Sequence, residues 1–179
     1  MTRSTDGGLR ELYDEAVASF GRRVAGVAAN QWAAPAHGGT VRELVAGLAG
    51  AQARAAALLG GAAVAPSGDP AADWAAAAAA ARSALAAPGA LAREVPMDGA
   101  AVTAAEYAAR LTVCLTVAIW DLAHATGQDD HLAPELVGFA LRRVAPEDQP
   151  VPADPQRRLL DLLGRPAIRR AAVDPEVTG

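Results

Sequence analysis

The chain has 179 residues, of which 52% are hydrophobic but only 4% aromatic, and this length is typical of one domain. The formal net charge of −4 and the isoelectric point near 5.3 argue against a nucleic-acid-binding protein, which needs a basic face. A single cysteine, Cys114, excludes an intramolecular disulfide and a zinc cluster held by several thiolates. Alanine is abundant whereas valine and isoleucine are too few for a large sheet, so the composition predicts an all-α fold.

The expected location is cytoplasmic. The first residues, MTRSTDGG, lack the apolar stretch of a signal peptide. The alanine run at residues 75–81 is too short to cross a bilayer. We therefore expect no membrane partner and no nucleic-acid partner.

The first two helices are predicted from apolar spacing and from their ends. Apolar residues at three- and four-residue steps predict a first helix from about Gly8, followed by a loop over residues 30–39. Thr40 and Glu43 have the spacing of a capping box, in which each side chain bonds a backbone N–H of the first helical turn. A second helix is therefore expected to begin at Thr40 and to stop at Gly60.

The third and fourth helices have equally clear starts. Asp69 before a proline at the first helical position predicts a helix that runs to about Ala87. A second capping-box pattern, Thr103 with Glu106, opens the longest helix, and Gly127 is expected to end it.

The remaining chain is predicted to hold short elements in the same domain. A fifth helix is expected over residues 134–144 and a proline-rich linker over residues 146–156. A short helix then follows over about 157–163, and the tail begins after Pro166. No internal repeat or second domain is indicated, so residues 1–179 are assigned to one domain.

Four segments in order resemble one family: WAAPAHGGTVRELVAGLAG, APGALAREV, IWDLAHATGQD and RLLDLLGRP. They are similar to the actinobacterial branch of the DinB superfamily, which includes the N-terminal domain of mycothiol-dependent maleylpyruvate isomerase. The resemblance implies a DinB-like four-helix bundle, here with short extra C-terminal helices, and a divalent-metal site at one end. In active members the metal binds a low-molecular-weight thiol for isomerisation or S-transfer.

The residues at the implied ligand positions depart from the family pattern. The resemblance places one histidine ligand at Gly47 and two further ligands at Cys114 and Ala118. A catalytic zinc ion needs three protein ligands and an open position. Only Cys114 can contribute, so we expect the protein to hold no metal and no cofactor.

The small residues Gly47 and Ala118 leave two alternatives open. Either the second and fourth helices pack more closely, or the vacated site has become an organic-ligand pocket between helices. Helical phase places further candidate pocket residues on the same two faces: Arg54, Tyr107, Arg110, Cys114 and Asp121. The competing interpretation is that Arg110 pairs with an acidic neighbour, Glu43 serves only the cap and Asp121 holds a loop.

Other chemistry receives less support from the sequence. His124 is about 15 Å along the helix from Cys114, so a Cys–His dyad is not expected and Cys114 is interpreted as an inert thiol. His37, His124 and His131 lack the spacing of a metal triad and are interpreted as ordinary surface histidines.

The leading hypothesis is thus a metal-free, DinB-like protein of specialised metabolism that either binds a small organic metabolite between its helices or catalyses a rearrangement of it there. If it is an enzyme, it is expected to be a metal-independent isomerase, cyclase or transferase. One alternative is a metal- and mycothiol-dependent isomerase or S-transferase. Another is a non-catalytic interaction module that forms a homodimer.

Overall fold

A computed structural model describes residues 3–145 and 153–165, with side chains from Gly7 onward. The predicted tail after Pro166 and most of the predicted linker, residues 146–152, lie outside the described residues. Within the described ranges the chain is mostly helical, which confirms the predicted class at that level. The helices are α1 (Arg3–Ala25), α2 (Val41–Leu58), α3 (Pro70–Ala86), α4 (Ala104–Thr126), α5 (Pro134–Val144) and α6 (Pro155–Leu162).

The helix ends follow the local signals in the sequence. Thr40 accepts a hydrogen bond from the Glu43 amide, and the Glu43 carboxylate accepts one from the Thr40 amide, which completes the predicted capping box. Asp69 accepts hydrogen bonds from the first-turn amides of α3. Gly127 ends α4 with a φ of +70°, a conformation that glycine adopts more readily than any residue with a side chain.

Two helix starts differ from the prediction. Helix α1 begins at Arg3 rather than near Gly8, because a glycine costs only about 1 kcal/mol inside a helix and need not stop it. Helix α6 begins at Pro155, where Asp154 caps the first turn. This is the same Asp–Pro arrangement that starts α3, so the signal was present in the sequence.

The second capping box is only half formed. Thr103 accepts a hydrogen bond from the Glu106 amide, as predicted. The Glu106 carboxylate instead accepts hydrogen bonds from Arg110 at 3.2 Å and Arg143 at 3.0 Å. The bond from Arg143 therefore joins helix α5 to the first turn of α4, and the local sequence pattern does not predict this contact.

Two small antiparallel hairpins lie between the helices. Strands β1 (Pro35–Ala36) and β2 (Gly39–Thr40) form the first, and β3 (Glu94–Met97) and β4 (Ala100–Thr103) form the second. Asp98 and Gly99 both have positive φ in the β3–β4 turn, the geometry that Asp-Gly favours in a two-residue hairpin. The sequence contains this Asp-Gly turn signal, but the sequence analysis did not predict the hairpin.

The core is built where α1 to α4 pack together, and α5 and α6 pack near α4. Its largest fully buried apolar side chains include Tyr13, Phe20, Leu115 and Leu122. Gln52 is also fully buried on the apolar face of α2, where it accepts a hydrogen bond from the Tyr13 hydroxyl. Burial, with the nearby Asp14 carboxylate as a smaller cause, raises the pKa of Tyr13 above its usual value.

Helix α4 is the centre of this arrangement. Among the described residues it is the one helix long and apolar enough to cross a membrane, but 72% of its most apolar window is buried inside the protein. That burial is consistent with the core helix of a soluble protein. Its buried hydroxyls are satisfied locally, since Thr112 and Thr116 each donate to the carbonyl one turn earlier at 2.8 Å.

Candidate functional site

The positions that the resemblance assigns to metal ligands do not form a metal site. Gly47 is exposed, and a Cβ atom added there would meet no other atom within 4 Å. Cys114 is exposed, whereas Ala118 belongs to the buried core. Neither glycine nor alanine offers a donor atom, so these residues do not fit the ion that the sequence resemblance implies.

The same positions bear on the two alternatives left open by the sequence. Gly47 is not a point of close helix contact, because open space surrounds its Cα hydrogen. Ala118 is only 4% exposed and packs among core side chains. The small residues on the two helices therefore have different surroundings and do not share one role.

Arg54, Tyr107 and Cys114 lie near one another on this side of the protein. Burial raises the pKa of the half-buried Tyr107, while the positive charge of Arg54 acts in the opposite direction. Cys114 reaches the surface, yet the surrounding protein desolvates its thiol enough to raise its pKa, and Arg165 offsets this only in part. A raised pKa disfavours the thiolate, which agrees with the interpretation of Cys114 as an unreactive thiol.

The other candidate pocket residues are engaged within the protein. Arg110 forms ion pairs with Glu106 at 3.2 Å and with Asp98 at 3.6 Å. Asp121 is 5% exposed and accepts two hydrogen bonds from the Arg165 guanidinium, at 3.1 and 3.3 Å. These contacts favour the competing interpretation, in which Arg110 and Asp121 stabilise the fold and do not bind a ligand.

A concavity of ligand size lies elsewhere, at the carboxyl end of α4. It is a cleft of about 660 Å³ between the last two turns of α4, the loop at residues 127–131 and helix α6. This volume lies within the range of small-molecule sites, about 300–1,000 Å³. A smaller cavity of about 260 Å³ lies between α1 and α3, beside Arg10 and Arg82.

Two glutamine side chains hold the walls of the cleft in place. Gln156 of α6 accepts a hydrogen bond from the Leu132 amide at 2.8 Å and donates one to the Asp130 carbonyl at 2.9 Å. Gln128 donates to the Arg23 carbonyl at 3.0 Å and to the Thr126 hydroxyl at 2.9 Å. Because these amides bond backbone or hydroxyl groups of neighbouring segments, the cleft is preformed.

An aromatic pair forms part of one wall. The rings of Trp120 and His124 are stacked, with centroids 4.6 Å apart and planes inclined by 12°. Trp120 is 7% exposed and His124 is half-buried, so the imidazole lies nearer the solvent. Leu160 of α6 adds an apolar surface to this wall.

Carboxylate and imidazole groups meet at the mouth of the cleft. His131 Nδ1 lies 2.7 Å from Asp129 Oδ1, and this hydrogen bond raises the pKa of His131 and lowers that of Asp129. His124 Nδ1 lies 3.6 Å from Asp130 Oδ2. The cleft therefore presents two imidazole–carboxylate pairs, which can exchange protons with a ligand or bind a cation.

The sequence interpretation missed this site. Their spacing predicts that His124 and His131 are ordinary surface histidines, but the structure brings both to the cleft, whereas His37 lies in the turn between β1 and β2. The available signal was the density of ionisable groups over residues 124–131. Helical spacing could not reveal the site, because most of these groups follow the end of α4.

Comparison of the chain with protein-family models, with curated proteins and with solved structures gave no match to any of the three.

Proposed function

We propose that this chain is a DinB-like protein that binds a small polar organic molecule in the cleft at the carboxyl end of α4. The observation that carries the proposal is the preformed cleft of about 660 Å³, whose walls are fixed by Gln128 and Gln156. The DinB relationship rests on the sequence resemblance alone, and we propose the cleft in place of the face that contains Gly47 and Cys114.

The chemistry of the lining supports a ligand that is partly flat and partly polar. Trp120, His124 and Leu160 offer an apolar surface, against which a ring or a short chain can pack. Asp130 and Asp154 are on the same cleft, so hydrogen-bond donors on the ligand can face carboxylate oxygens. Most side chains that line the cleft are polar, whereas small-molecule sites are typically apolar with a few polar groups, so we propose a ligand that is itself predominantly polar.

A catalytic role within this proposal would use the imidazole–carboxylate pairs. An imidazole held by a carboxylate can accept a proton from a ligand and return it at another atom, which is the minimum requirement for an isomerisation. Cys114 has no part in such a step, because it does not line the cleft and its pKa is raised.

The experiment is a screen of polar metabolites by saturation-transfer NMR against the wild-type protein and two variants. His124→Trp enlarges the ring that is stacked on Trp120 and fills part of the cleft, so it should abolish binding of the compounds found. His37→Trp makes the same change in the β1–β2 turn and should leave binding unchanged. Compounds that bind His124→Trp as well as wild type, or a screen without any ligand, would contradict the proposal.

A further inference from the structure

The mouth of the cleft brings together side chains with the donor atoms of a metal site. One donor atom each from Asp129, Asp130 and His131 lie within 4.8 Å of one another. His124 joins them from α4, with its Nδ1 atom 3.6 Å from the Asp130 carboxylate. The donors thus come from the loop that follows α4 and comprise one imidazole and two carboxylates, while the His124 imidazole lies beside one of those carboxylates.

Side-chain rotation can bring the donor atoms to the spacing that one ion requires. Zinc binds imidazole nitrogen and carboxylate oxygen at about 2.0–2.2 Å, so the ligand atoms of a tetrahedral site are roughly 3.4 Å apart. The three donor atoms lie within 4.8 Å of one another, so the more distant ones must move closer by roughly 1 Å. Asp129 and His131 have exposed side chains that are free to make this rotation.

The loop that carries the donors is held in position. Gln156 donates a hydrogen bond to the Asp130 carbonyl, and Gln128, the residue before Asp129, is bonded to the Arg23 carbonyl. The ion would therefore meet donors on an anchored loop. The cleft beside them leaves room for a water molecule or a ligand group in an open coordination position.

We propose that Asp129, Asp130 and His131 bind one divalent transition-metal ion at the mouth of the cleft, with His124 as a positioning residue for Asp130. Mixed imidazole and carboxylate donors suit zinc, cobalt or nickel better than magnesium or calcium, which prefer oxygen alone. The site is separate from Gly47, Cys114 and Ala118, where the resemblance places ligands. It does not depend on the proposed organic ligand, because the ion can bind in the absence of that ligand.

The test is equilibrium dialysis of the untagged, chelator-treated full chain against Zn²⁺, with the bound metal measured per chain. We expect about one ion per wild-type chain. Asp130→Asn and His131→Gln should each weaken binding more than about tenfold, since even loss of an outer-shell partner of a metal ligand typically costs about 10- to 100-fold. His37→Gln is the matched control and should bind zinc as the wild type does.

A second measurement keeps the result independent of folding. Co²⁺ bound to the wild-type protein should show the visible absorption of a site with nitrogen and oxygen ligands, and His131→Gln should lose it while its circular dichroism spectrum remains that of the wild type. The proposal is overturned if wild-type protein binds no stoichiometric ion, if Asp130→Asn and His131→Gln bind as tightly as wild type, or if His37→Gln loses binding equally. None of these outcomes decides the metabolite screen, which uses His124→Trp and no metal.

Discussion

Replacement of Trp120 by alanine tests the link between the core of the protein and the cleft. Trp120 is 7% exposed, belongs to the core and stacks on His124. A buried tryptophan removes roughly 150–250 Å² from water, which at about 25 cal/mol per Å² corresponds to roughly 4–6 kcal/mol. Because alanine keeps one carbon and unfolded chains already bury some surface, we expect the free energy of unfolding to fall by about 3–5 kcal/mol.

The cleft places this variant at the lower end of that range. Trp120 lines the cleft, so water can enter the space that the indole leaves and the cavity penalty is smaller than in a closed core. A loss of about 3 kcal/mol corresponds to a decrease in Tm of roughly 6–12 °C for a domain of this size.

The other two tryptophans are natural controls. Trp74 is 3% exposed and packs edge-on against Phe20 with ring centroids 4.6 Å apart, so Trp74→Ala should cost at least as much as Trp120→Ala. Trp32 is half-buried beneath the Arg42 guanidinium, and Trp32→Ala should cost the least. Urea denaturation followed by circular dichroism gives all three values. A loss below about 1 kcal/mol for Trp120→Ala, or a larger loss for Trp32→Ala, would refute this description of α4.

Three further predictions concern stability. Gly47→Leu should raise the free energy of unfolding by up to about 1 kcal/mol, because leucine is the better helix former and its side chain enters open space, whereas Ala118→Leu should lower it by about 1–3 kcal/mol through overpacking; equal losses in urea melts would contradict the placement of these residues. Arg165→Met leaves the buried Asp121 carboxylate without its partner and should cost about 3 kcal/mol, the low end for a broken buried pair; a loss below 1 kcal/mol would mean that water replaces the guanidinium. The pKa of Tyr13 is raised in the folded state, so the folded chain holds this proton above pH 10 while the unfolded chain releases it, and stability should fall as the pH rises above 10 by up to about 1.4 kcal/mol per pH unit. Tyr13→Phe should flatten that decline in alkaline denaturation curves, and an unchanged slope would contradict the burial of the hydroxyl.

The sequence by itself determined most of the helical framework. Its signals are local: the Thr40–Glu43 capping box, the cap at Asp69 and the glycine at 127 each act within one helical turn. Local signals can be read without knowledge of the fold, which is why the bounds of α2 to α5 were predicted closely. The β3–β4 hairpin also has a local signal, the Asp98–Gly99 turn, so it too is predictable from the sequence although it was not predicted.

Only the tertiary structure decided which polar groups meet. Gln52 occupies an apolar helix face, and its contact with Tyr13 joins residues 39 positions apart. Helical phase places Asp121 on a ligand-binding face, yet Asp121 forms an ion pair with Arg165, 44 positions away. Such pairings depend on how helices pack, and a hydrogen bond between distant segments leaves no periodic pattern in the sequence.

The cleft is the clearest example of a feature that depends on the tertiary structure and not on a local sequence pattern. The sequence contains His124 and the residues at 129–131 as a run of ionisable groups beyond a helix end, and nothing in their spacing predicts a cavity. The cavity exists because α6 packs beside the end of α4 and Gln156 bonds the loop around Asp130. Helix formation depends on interactions within about four residues, so the helices can be predicted from the local sequence. A cleft between helices depends on the long-range contacts that position those helices, and these contacts exist only in the folded chain.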